Sequence, residues 1–416
     1  MKFIERAAAE PFRVFFPLGI AASIFGVLLW PAYFAGWLDG WPLEAHARWM
    51  VTGFGGCFVT GFLGTAGPRL LGSHPWCRFE LLWHLGVALA MMLALALSAV
   101  GTADLLAGFW LTGVLLSLGA RFFIGRRDVP PPGMPLALLG ILGAALSSFV
   151  LSADGVLSLP APLRQFCRLL LFQGFLWLPI LGVAPYLLPR FFGLPSPHSF
   201  PESKTIPAGW WRPFLISLAA GIVLIASFAI EVAWGGRPGM ALRAITVITY
   251  LAFAVPGWLA LSKVNGLGLA LRIILPTAVI GWGLGAVYPA LRIGNIHLMF
   301  IAGAGLLMLC AATRVILGHN ERHDRLATPM KWMHGVWVMG LLTATTRVAA
   351  DFVPAIRVSH FIYAAFMWLL MIAFWAWRLR RESGLPEALE HRPKGRCPKP
   401  SRSRQLMMGG AFRSTP

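Results

Sequence analysis

The chain of 416 residues is 57% hydrophobic and only 12% charged, with a mean hydropathy of +0.71. A soluble domain carries about 25% charged residues, so this composition, with 18 Trp and 29 Phe, excludes an ordinary soluble domain and fits a polytopic membrane protein. The net charge of +19 sits in loops and in the tail after Trp377, which points to membrane orientation and anionic lipid and away from nucleic acid, and five cysteines without a C-x-x-C pair exclude a disulfide framework or a thiolate zinc site.

The opening "MKFIERAAAEPF" is short and charged, and the apolar run behind it is too long for a signal core, so no cleaved leader is expected. About twelve runs long enough to span a bilayer follow, at 14–38, 47–67, 79–100, 103–124, 134–153, 166–188, 213–234, 238–261, 269–290, 295–317, 330–350 and 356–378. Lipid allows only helices or closed barrels, and barrel strands would alternate in polarity. The expectation is therefore an all-α polytopic membrane protein, a bundle of about twelve transmembrane helices over residues 1–379. The Pro- and Ser-rich stretch 189–212 divides it into halves 1–188 and 213–379. Residues 380–416 lack periodicity and hold Pro, Ser, Gly and Arg, so a basic disordered tail is expected. The even-numbered gaps carry Arg69, Arg78, Arg121, Arg126, Arg127, Arg190, Lys204, Lys263, Arg322 and Arg325, whereas the odd-numbered gaps carry fewer cations. That asymmetry puts both termini in the cytoplasm, as a multi-pass protein of a bacterial-type inner membrane.

His46 stands just before the second run. Within that run Gly53, Gly56, Thr60, Gly64 and Gly67 recur three or four apart as one small stripe. Such a stripe suits close approach of another helix or a flat macrocycle, and His46, about two turns before Gly53, falls on the same side. His84 lies early in the third run, and the sixth and seventh runs hold no histidine. The tenth run, "NIHLMFIAGAGLLMLCAATRVILGH", is bracketed by His297 and His319. As a helix rising about 1.5 Å per residue it separates them by roughly 33 Å, the thickness of a bilayer core, so they cannot serve one metal. His334 opens the eleventh run and His360 the twelfth. Six histidines thus form two layers: His46, His297 and His360 near the outer face, and His84, His319 and His334 near the cytoplasmic face.

Ionisable side chains within spans are rare and usually functional, and neutral imidazole is a common ligand of iron and copper. Haem held between helices needs one or two such nitrogens at matching depth beside an apolar slot. A single histidine at a helix end more often hydrogen-bonds a carbonyl, but three at one depth on three helices point to a site. We expect two of His46, His297 and His360 to ligate haem iron, His297 foremost and His46 as its partner, with room for the ring left by Gly303 and Gly305. Arginine pairs carboxylates bidentately, so Arg347 or Arg357 is expected to hold a propionate. Glu231 and Asp351 are the competing partners for these arginines, and snorkelling to lipid phosphate is the plainer role. His319, with His84 or His334, belongs to a separate inner site or merely caps its helix, and Arg314 lies one turn inside that end.

Three segments carry a family resemblance: "PFRVFFPLG" (11–19), "HARWMVTGFGGCFVTGFLGTAGPRL" (46–70) and "NIHLMFIAGAGLLMLCAATRVILGHNER" (295–322). The chain resembles the NnrS family of haem- and copper-associated membrane proteins linked to nitric oxide. The resemblance covers nearly the whole chain. It implies twelve helices, haem, copper as a second metal, nitric oxide as a small-molecule ligand, and protection against nitrosative stress. His46, His297, Arg314, Gly318 and His319 stand on family motif positions. The family's second-helix motif commonly reads H-x-H-E, whereas this chain has His46-Ala47-Arg48-Trp49; one ligand and one carboxylate are missing, which weighs against copper near His46. No catalytic residue is assigned. Two other classes stay open. A redox enzyme of the haem–copper oxidase or nitric oxide reductase kind would need further histidines on helices six and seven. A secondary transporter would show charged or broken helices at midplane, whereas here the charges cluster at the ends of the runs.

Overall fold

A computed structural model describes residues 2–192, 194, 203–255 and 266–383. Every element among these residues is helical. Twelve long helices follow one another: α1 (Phe12–Phe34), α2 (Leu43–Leu70), α3 (Arg78–Ala96), α4 (Val100–Gly125), α5 (Met134–Ser152), α6 (Ala161–Phe191), α7 (Trp211–Trp234), α8 (Gly236–Ala254), α9 (Gly266–Val287), α10 (Pro289–His319), α11 (Trp332–Phe352) and α12 (Pro354–Ser383). The chain is an all-α polytopic membrane protein. Among the described residues ten of these helices are long and apolar enough to cross a membrane. The exceptions are α8, which carries Arg237 and Arg243, and α11, which carries Arg347 and Asp351. The predicted halves fall within one compact unit, Met1–Ser383. Most of the stretch between the halves, residues 256–265, and the tail beyond Ser383 lie outside the described residues; α12 takes in the first residues predicted for the tail.

Burial separates a central trio from the rest. In α2 and α6, 78% of the most apolar stretch is buried, and in α10 67%, against 33% in α7 and 39% in α3 and α12. The central helices are surrounded because their small residues admit neighbours. A Cβ on Gly53 would meet Ala22 of α1 at 3.1 Å, one on Gly56 the Trp110 ring of α4 at 3.1 Å, and one on Gly64 the Trp76 ring at 2.9 Å. The stripe of α2 is therefore a helix-packing surface filled by side chains. It is not a slot for a flat ring. The same holds in α10, where Gly303 meets Ala278 and Trp177, and Gly305 meets Trp368.

All three central helices leave the α repeat near one end. The segments Trp49–Gly55 in α2, Leu170–Gly174 in α6 and Leu298–Gly305 in α10 are π-helical, a geometry rare in proteins and frequent at functional sites. Helix α6 runs through Pro179, Pro185 and Pro189 without a break. Lipid leaves no competitor for the freed carbonyls, and neighbouring helices and local adjustments re-satisfy them. At the α7–α8 corner Gly235 takes φ +96°, a backbone conformation open to glycine at little cost. Four residues on, a Cβ at Gly239 would sit 2.6 Å from Cβ of Glu231. The two helices thus cross at close range and bring Arg243, one turn later, against Glu231.

Candidate functional site

A cavity of about 350 Å³ opens at the end of the bundle where His297 lies. The central trio, α1, α11 and α12 build most of its wall, and aromatic rings dominate it: Trp30, Phe54, Phe172, Phe300, Phe361 and Trp368. His46, His297 and Arg347 all line it. The two histidines stand close enough to interact electrostatically with each other and with Arg347. His46 reaches the cavity because α2 begins at Leu43, well before the predicted 47, and its first turn lies against α1. There Nδ1 of His46 is 2.8 Å from the Gly26 carbonyl, with the ring edge-on to Trp30. Nδ1 of His297 is 2.6 Å from the Ile293 carbonyl one turn back. A carbonyl only accepts, so both Nδ1 atoms carry the proton and Nε2 is the basic nitrogen on each ring. Among the described residues neither Nε2 has a hydrogen-bond partner.

Charges ring the cavity. Glu44 of α2 pairs with Arg168 of α6 and with Arg48 on its own helix. Arg48 also grips Asp104 of α4 through two hydrogen bonds of 2.7 Å. Arg347 donates to Asp351 at 2.9 Å and lies 4.2 Å from the Phe361 ring centroid, so one of its donors is already engaged. Arg292 is 3.9 Å from Glu231 and its side chain is 42% exposed, which leaves most of its donors for another anion. Behind the wall, Arg243 is fully buried. It pairs with Glu231 and donates to Gln173 Oε1 at 2.7 Å, which also accepts from Trp282 at 2.8 Å. Glu231 and Gln173 face the cavity, so this network holds two polar groups of the wall in place.

The NnrS protein family model matches residues 6–381 of the chain. The chain belongs to the NnrS family. It is thereby a membrane protein associated with the nitric oxide response. No curated protein matches it.

The remaining candidates of this NnrS protein lie elsewhere. His360 is not part of the cavity lining; its Nδ1 bonds the Ile356 carbonyl at 3.1 Å and its ring leans on Tyr363. Among the described residues no group of three His, Cys, Asp or Glu side chains is arranged to hold a metal ion. Towards the other end of α10, His319 bonds the Val315 carbonyl at 2.8 Å and meets Phe12 edge-on. His84 lies over Trp76, 3.2 Å from Ser117 Oγ, and His334 packs on Trp337. Among the described residues no hydrogen bond or ring contact joins any two of these three. Arg314 stacks over Phe191 at 5.1 Å, and Arg357 donates to the Ala350 carbonyl at 3.4 Å.

Sequence reading missed Asp104, Gln173 and Arg243. Each had a signal, as a lone polar residue inside an apolar run. Arg48 is 4% exposed and held by two carboxylates, Glu44 and Asp104.

Proposed function

We propose that this NnrS protein binds haem in the cavity between α2 and α10, with Nε2 of His46 and His297 as the iron ligands, and that it serves the cell against nitric oxide. We further propose a bacterial-type inner membrane as its site, with both termini cytoplasmic. One observation carries the reading: two histidines on different helices line the same aromatic cavity with the basic nitrogen of each left unpaired. The chemistry of the lining supports the reading. The volume lies in the range of ligand pockets, about 300–1,000 Å³. The carbonyl bonds to Gly26 and Ile293 fix the tautomer and the ring orientation, as outer partners of ligating histidines do. Arg292 and Arg347 supply cations for the two propionates, and the aromatic wall excludes water. Ferrous haem with an open or weak axial position supplies a centre for binding a diatomic ligand. Copper fits less well, because Arg48 replaces a ligand of the family motif and no third donor joins the two histidines among the described residues.

The test is haem content and the Soret position of purified His46→Ala and His297→Ala proteins, with His360→Ala and His319→Ala as controls. We expect loss or a shift in the first pair and neither in the controls. Full haem content with unchanged spectra in both cavity variants would remove the assignment.

A further inference from the structure

A second space adjoins the histidine cavity. It holds about 70 Å³ between α1, α2, α6 and α10, and every side chain lining it is apolar. Leu176 and Met308 line both spaces, so these two side chains form the partition. On its other flank Phe62, Ile180, Val183, Leu187 and Ala311 are partly exposed at the surface of the bundle, where a membrane protein meets lipid tails.

The chemistry of this fissure selects its occupant. Water needs two to four polar partners, and apolar cavities without them stay dry yet take up xenon or benzene. The space is far below the roughly 300 Å³ of an ordinary ligand pocket, so the occupant has only a few atoms. Small apolar gases dissolve in hydrocarbon, and the fissure opens on the side from which they would arrive. The partition is yielding: methionine is unbranched and adapts to irregular space, and leucine can change rotamer. We propose that the fissure is a docking site for small apolar gas molecules, through which they pass from the bilayer past Leu176 and Met308 into the histidine cavity. The identity of the physiological gas rests on the function proposed above; the docking site does not.

Xenon is the probe. Crystals of the full chain under xenon pressure should show xenon between Phe58, Val183 and Met308, and Ala311→Trp, which fills the rim from a partly exposed position, should abolish it. Val183→Trp repeats the test from the facing helix should the first variant fold poorly. In haem-loaded protein the same variants should slow carbon monoxide association by roughly tenfold, the effect of a modest added barrier, with haem content and dissociation rate unchanged. Absence of xenon from the fissure, a lipid acyl chain held there instead, or xenon retained in both variants would overturn the proposal. If the protein takes up no haem, the function proposed above fails while the xenon result still decides this one.

Discussion

Arg48 and Asp104 clasp each other across α2 and α4, Nε to Oδ1 and Nη2 to Oδ2, with both side chains almost fully buried. Breaking a buried pair from one side strands a charge in a medium that cannot solvate it. Asp104→Ala should therefore lower stability by about 3 kcal/mol, the lower end of such losses, because Glu44 still holds Arg48. A double variant, Arg48→Met with Asp104→Leu, should regain most of it. Thermal unfolding in detergent measures both, and equal instability of single and double variants would show that the ion pair is not the cause.

The wall network makes a parallel case. Arg243→Met leaves Glu231 buried with Arg292 at 3.9 Å as its remaining cation among the described residues and deprives Gln173 of a donor. A loss of about 3–5 kcal/mol is expected. Arg243→Lys should recover only part, since an ammonium cannot reach Glu231 and Gln173 as the planar fork does. A fully stable Arg243→Met protein would count against this account of the wall.

Helix contacts made by glycine should be sharply position-dependent. A Cβ on Gly133 would lie 2.2 Å from the Gly182 carbonyl oxygen, a backbone atom that cannot swing aside, whereas nothing lies within 4 Å of one on Gly86. Gly133→Ala should cost about 1–3 kcal/mol or more through overpacking, while Gly86→Ala should be neutral or more stable by up to about 1 kcal/mol. Equal melting temperatures for the two variants would contradict this packing.

Histidines 84, 319 and 334 have separate surroundings, with no bond between them among the described residues. Pairwise alanine substitutions should then add in stability within about 0.5 kcal/mol and leave haem content unchanged. A pair whose effects depart clearly from additivity, or a variant that loses haem, would indicate a shared site at that end.

Reporters fused at Gly155 and Ser203, which flank α6, should lie on opposite sides of the membrane, with Ser203 cytoplasmic as the loop cations require. The same side for both would reject the proposed topology.

Much of this architecture is legible in residue order, because a span announces itself by length and apolarity. Even so, α2 begins at Leu43 and α6 at Ala161, several residues ahead of expectation, since Glu44 and Arg168 neutralise each other and extend the helices through polar sequence. The two histidines that share a cavity could be matched by depth alone. Their tautomers could not, because the carbonyl that orients His46 belongs to Gly26 of another helix. Nor could the partners of Arg48 and Arg243, which stand 56 and 70 residues away at Asp104 and Gln173. The glycines of α2 and α10 looked like open space because sequence shows what a residue lacks, and not the Trp110, Trp76 or Trp368 ring that occupies the gap.

The π segments have one more consequence. Those of α2 and α10 each sit between a histidine and the long helical stem that anchors it: Trp49–Gly55 after His46, Leu298–Gly305 after His297. Successive residues of an α-helix are turned by about 100°, so the wider winding resets the angular phase of everything beyond it. Wound as regular α-helix with every residue kept, Trp49–Gly55 would swing His46 by roughly 100° relative to Gly56–Leu70, out of line with His297, while hydropathy and composition stayed the same. Two chains of near-identical polarity thus differ in whether their imidazoles meet according to whether these windows wind wide or regular.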